Sequence, residues 1–163
     1  MAFQVSALPE HEFAELFAFD ERELGQRGAR RYVADRKPGF PCRVSLEDAS
    51  PGETVILTPF AHLSPDSPYR STGPVFVRQG ARRAAPAVDE VPELLRLRLL
   101  SVRAYDGESL MQDAEVVEGR DLEGVIRRFF ADRRVSYLHV HFARPGCYAC
   151  RIDRAEHGSV PRV

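Results

Sequence analysis

The sequence predicts an α+β fold built on a largely antiparallel sheet of about seven to eight short strands. Two observations carry this. Residues 121–132, DLEGVIRRFFAD, set Leu122, Val125, Ile126, Phe129 and Phe130 at helical spacing, the stripe a core-facing helix buries. The rest of the chain is short alternating runs broken by Pro and Gly, without the regular strand–helix alternation of a parallel sheet.

The elements follow in chain order. FQVSAL alternates from Phe3 and reads as a strand. Pro9 opens PEHEFAELFAF, where Phe13, Leu16 and Phe17 share a helical face, so a short helix is expected there. DERELGQRG is a second short helical piece, with Asp20 as N-cap and Gly25 or Gly28 to end it. RRYVAD is a strand and RKPGFP a turn preset by Pro-Gly. CRVSLEDA alternates into another strand, and TVILTP after it is a more fully buried one.

Residues 59–74, PFAHLSPDSPYRSTGP, hold four prolines and no period, which reads as a long functional loop. VFVRQ follows as a strand, and GARRAAPAVD as a solvated loop. Pro92 starts a helical turn leading into the strand LLSVRAYD, and LMQDAEVVEG is a strand after the Asp106-Gly107 turn. VSYLHVHF and CYACRID are the last two strands. Residues 1–154 are expected to form one domain, with 155–163 as a flexible tail.

Composition narrows the function classes. A formal net charge of −1 offers no field to recruit nucleic acid or an anionic membrane. No basic stripe with interleaved aromatics points to a nucleic-acid partner. No run approaches the ~18 apolar residues of a membrane span, and MAFQVSALPEHEF lacks a signal peptide's basic and apolar regions. Three cysteines make no disulfide framework. A cytoplasmic, thiol-reduced protein is the expectation. Phosphate loops, Gly-x-Gly-x-x-Gly, Gly-x-Ser-x-Gly and His-Glu-x-x-His are all missing.

The chemistry concentrates in YLHVHFARPGCYACRID, residues 137–153. Alternation along a strand puts Val135, Tyr137, His139 and His141 on one face, and Ser136, Leu138, Val140 and Phe142 on the other. The second set is the core face. The two imidazoles then stand about 7 Å apart at their α-carbons, close enough to serve one zinc or iron ion with one or two further ligands. Which cysteine joins them depends on the turn. A three- or five-residue connection with Gly146 in the left-handed region puts Cys147 on the histidine side and Cys150 on the core face. Cys147-x-x-Cys150 on a strand splits its thiols between faces, which disfavours a dithiol redox pair.

Other polar candidates are more scattered. Cys42 lies at the mouth of a predicted strand beside Arg43, Arg70 lies in the long loop, and Arg78 and Arg103 lie on strands. Convergent arginines would clamp a carboxylate or phosphate. His62, in the same long loop, is a solvated histidine or a cap on the site. His11, at a helix start, and His157, in the tail, are set aside.

Four stretches, KPGFPCRVSLEDA, PYRSTGPVFVR, LLSVRAYD and YLHVHFARPGCYA, resemble the bacterial family called domain of unknown function 1203. The resemblance runs from FQVSAL to CRIDRA. It implies that Gly146-Cys147 belongs to the family motif and that a small residue commonly stands at the position of Cys150. Cys147 is then the functional thiol. The family carries no assigned activity.

The expected function is a pocket of His139, His141 and Cys147, with Cys42 as a further metal ligand and Arg43, Arg70 and Arg103 as substrate contacts. It would bind zinc or iron and act on a small anionic molecule by hydrolysis or redox chemistry. Two alternatives stay open. One is a non-enzymatic ligand- or partner-binding module with structural histidines. The other is a thiol sensor pairing Cys42 with Cys147.

Overall fold

The computed structural model describes residues 1–156. The predicted tail therefore lies almost wholly outside the described residues, His157 included. The described residues form eight strands, β1 (Ala2–Ser6), β2 (Arg30–Val33), β3 (Thr54–Leu63), β4 (Ser71–Arg78), β5 (Leu99–Tyr105), β6 (Met111–Glu118), β7 (Tyr137–Phe142) and β8 (Tyr148–Ala155). The helices are α1 (Glu21–Gln26), α2 (Glu93–Arg96) and α3 (Leu122–Ala131). The fold is α+β, as predicted. The strands form two antiparallel sheets, ordered β1-β8-β7-β5-β6 and β2-β3-β4.

The chain divides into two compact units. The first holds Met1–Ser6, Pro65–Tyr69 and the described residues from Ala85 to Glu156. Its five-stranded sheet carries α3 against β5 and β6. The predicted stripe Leu122, Val125, Ile126, Phe129 and Phe130 is buried, each side chain contributing roughly 1.5–3 kcal/mol of apolar transfer. Leu100, Val102, Leu138, Val140 and Ile152 are fully shielded, on the sheet face opposite the histidines. Gly119 sits where the chain enters α3, and its amide donates to the Arg98 carbonyl at 2.8 Å.

The second unit, Ala7–Ser64 and Arg70–Ala84, is built on β2-β3-β4. Val55, Ala34 and Ala49 form a small core covered by Tyr32, Phe40 and Phe76. Asp20 caps α1 with a complete capping box, accepting from the Glu23 amide at 2.8 Å while the Glu23 carboxylate accepts from the Asp20 amide at 3.1 Å. Gly28 follows in the left-handed region.

Three elements differ from the sequence reading. The segment after Pro9 forms two 3-10 turns, Glu10–Glu12 and Ala14–Ala18, instead of one α-helix. CRVSLEDA is not a strand. Cys42 closes a tight loop there, donating its amide to Glu47 and accepting from the Leu46 amide, while Leu46 takes a positive φ of 52°. Only isolated bridges remain, Pro41 to Asp48 and Cys42 to Phe76.

The proline-rich loop is mostly strand. β3 runs through to Leu63 and β4 starts at Ser71, with Pro59 directly opposite Pro74 and a bulge between Phe60 and Leu63. Facing prolines have no N–H to exchange and are tolerated where the strands need none. β2 pairs only as far as Leu57, so Pro59 leaves no β2 carbonyl waiting for a donor. His62 is thus a strand residue.

Candidate functional site

β7 is the middle strand of the larger sheet, buried along its whole length. His139 and His141 are only 3% and 2% exposed, so the face that alternation reserves for them is covered too. Directly paired residues in antiparallel strands project to the same side. Arg103 of β5 and Arg151 of β8 both pair with His139. Ser101 and Tyr148 pair with His141, and Tyr105 and Asp153 pair with Tyr137. These three rows make one polar, aromatic face.

Aromatic rings wall the histidines. Tyr148 meets His139 edge-on at 5.1 Å and His141 at 5.9 Å between ring centroids. Tyr137 and Tyr105 lie 5.2 and 5.5 Å from His139 and stack on each other at 5.3 Å. Tyr69 adds an edge contact to Tyr105 at 5.9 Å. The Tyr137 hydroxyl donates to the Ser109 hydroxyl at 2.7 Å. Burial pushes the Tyr105 phenol above its ordinary value, and the neighbouring Arg103 guanidinium only partly offsets this.

The β7–β8 turn settles the cysteines. Val140 pairs with Cys150, so Cys150 is on the core face, as the odd-length turn predicts. A bulge then shifts the register, and the residue opposite His141 is Tyr148 rather than Cys147. The extra residue, Ala149, reverses the alternation between Cys150 and the turn. The expected position of Cys147 in the histidine row is therefore taken by a tyrosine.

The turn also orients His141. Its Nδ1 lies 3.1 Å from the Gly146 carbonyl oxygen. A carbonyl can only accept, so Nδ1 carries the proton, and the neutral ring presents its lone pair at Nε2. Metal-binding imidazoles commonly have this second contact, which fixes tautomer and ring direction. Gly146 has a φ of 81°, in the region glycine favours.

One ring nitrogen of His139 lies within 4.8 Å of one of His141. Among the described residues neither Cys42 nor Cys147 is grouped with them, and none of the three cysteines is in a disulfide. Cys42 is fully buried, and its Sγ accepts from the Ser45 and Arg78 amides at 3.4 and 3.3 Å. Of the predicted arginines, Arg43 is 1% exposed and donates to the Pro41 carbonyl at 2.7 Å. Arg70 is exposed just before β4, and Arg103 is half-buried opposite His139. Arg151, absent from the sequence reading, forks onto Asp153 at 2.9–3.1 Å and covers the Tyr137 ring at 4.1 Å. Burial works against its charge, but the Asp153 hydrogen bond and charge prevail and raise its pKa. The period-two pattern of CYACRID could have placed it, once the register was known.

No helix among the described residues is long and apolar enough to cross a membrane. No curated protein matches the chain, and no solved structure does. The sequence pattern of the family described as "Protein of unknown function (DUF1203)" matches residues 39–154, a span that contains His139 and His141, the tyrosine wall, β7 and all of β8 but Ala155. The chain belongs to the DUF1203 family.

Proposed function

We propose that His139 and His141 hold a transition-metal ion, zinc or iron, and that the chain uses it on a small anionic substrate. The supporting observation is that one ring nitrogen of His139 lies within 4.8 Å of one of His141. Ligands about 2.1 Å from a tetrahedral ion stand ~3.4 Å apart, so modest ring rotations complete the geometry. Such an ion would supply Lewis acidity and lower the pKa of a water molecule.

The chain's own groups supply the rest. His141 is held as the tautomer that presents Nε2, and the tyrosine rings shield the ligands from bulk water. Two neutral imidazoles leave the ion's charge uncompensated, which favours an anionic partner. Cys42 and Cys147 stay outside the ligand set in this reading, and hydrolysis is favoured over thiol chemistry.

Metal analysis of untagged protein tests the proposal. About one zinc or iron per chain is expected, lost in His139→Ala. Less than about 0.1 metal per chain, unchanged by that substitution, would overturn it.

A further inference from the structure

We propose that Arg103 is the anchor that binds a small oxyanion beside the histidines. The reaction at that anion rests on the metal reading above; its binding does not.

The argument starts from the rows of the sheet. Reading across β1, β8, β7, β5 and β6, one row runs Ser6, Arg151, His139, Arg103 and Ala114. It contains two arginines and no acid. The row through His141 contributes Tyr148, Ser101 and Val116, again without an acid. The row through Tyr137 contributes one carboxylate, Asp153, and that group is taken by Arg151 through both oxygens. Arg151 is further fixed over Tyr137.

Arg103 has no such commitment. It hydrogen-bonds the Tyr105 phenol, and among the described residues it forms no ion pair. A half-buried guanidinium with unused donors is matched best by a planar or tetrahedral oxyanion, which takes two parallel N–H bonds. The register sets Arg103 directly opposite His139, with Cβ atoms about 5 Å apart. An oxyanion on Arg103 would therefore be held next to the proposed ligand set. Carboxylate and phosphate share this chemistry.

Calorimetric titration of the untagged full chain, metal-loaded and metal-free, with oxalate and separately with inorganic phosphate tests the assignment. At least one anion is expected to bind, with Arg103→Gln weakening it at least about tenfold. Arg103→Lys should recover part of the affinity, and Arg151→Gln should change it by less than about threefold. The tighter anion identifies the source, carboxylate or phosphoryl. Binding of neither anion to the wild type would overturn the proposal, as would an Arg103→Gln affinity within about twofold of wild type. If the chain retains no metal, Arg103-dependent binding in the metal-free titration still supports the anchor while the metal reading falls.

Discussion

The Nδ1 of His141 and the carbonyl oxygen of Gly146 lie 3.1 Å apart, across the turn that joins β7 to β8. This contact makes the turn part of the site. It lets a glycine in the left-handed region set the direction of a histidine ring five residues away. A Cβ at position 146 would meet no neighbour within 4 Å, so backbone conformation alone opposes a side chain there.

Gly146→Ala is therefore expected to destabilise the fold by about 1 kcal/mol through its positive φ. It should also weaken metal binding by about tenfold, as loss of an orienting contact does. Thermal unfolding and a chelator competition read the two effects separately. A lower melting temperature with unchanged metal affinity would show that the carbonyl does not position the ring.

The ligand set itself is open to substitution. His139→Ala and His141→Ala should each lower bound metal to below about a tenth of wild type. Cys147→Ser and Cys42→Ser should retain it. Metal lost in Cys147→Ser would restore the His-Cys set expected from spacing alone.

Gly119 permits no side chain. An added Cβ would fall 1.8 Å from the Leu95 carbonyl oxygen and 2.8 Å from that of Arg98, both backbone atoms. Gly119→Ala should cost on the order of 2–3 kcal/mol, because the segments must separate. Denaturant unfolding measures this, and a loss below about 0.5 kcal/mol would mean the entry to α3 is looser than described.

Asp132 provides a pH prediction. Hydrogen bonds from the side chain and backbone of Arg134 hold its carboxyl down to about 2, below the usual 3.8. A depressed folded pKa means that the contribution is present above the unfolded value and is lost as pH falls through the folded one. The window is from about pH 4 down to about pH 2. Carboxyl NMR titration should show Asp132 ionised through most of that range, and Arg134→Ala should return it toward 3.8. Titration of the wild-type group near its ordinary value would refute the pairing.

Sequence reading succeeded where one physical signal dominated. The α3 stripe, the Asp20 cap and the alternation that put His139 and His141 on one face, with Leu138 and Val140 on the other, are local consequences of side-chain periodicity. They came through unchanged. It failed where a local rule was outweighed. Pro59 and Pro74 signalled a loop because proline breaks strands, yet facing each other beyond the reach of β2 they sit within one. CRVSLEDA alternates, yet the bonds of Cys42 to Leu46 and Glu47 fold it into a turn.

The candidate site shows the same division. Sequence alone determined that two histidines share a strand face and that Cys150 does not share it. It also flagged Arg103 and Gly146. Only tertiary structure decided that the face carrying the histidines is covered, leaving His139 and His141 just 3% and 2% exposed. It also decided that a single bulge seats Tyr148 opposite His141 in place of Cys147. The reason is that periodicity within a strand is set by the strand's own geometry, whereas register and approach between distant segments are set by pairing. One inserted residue is enough to exchange what the two faces present.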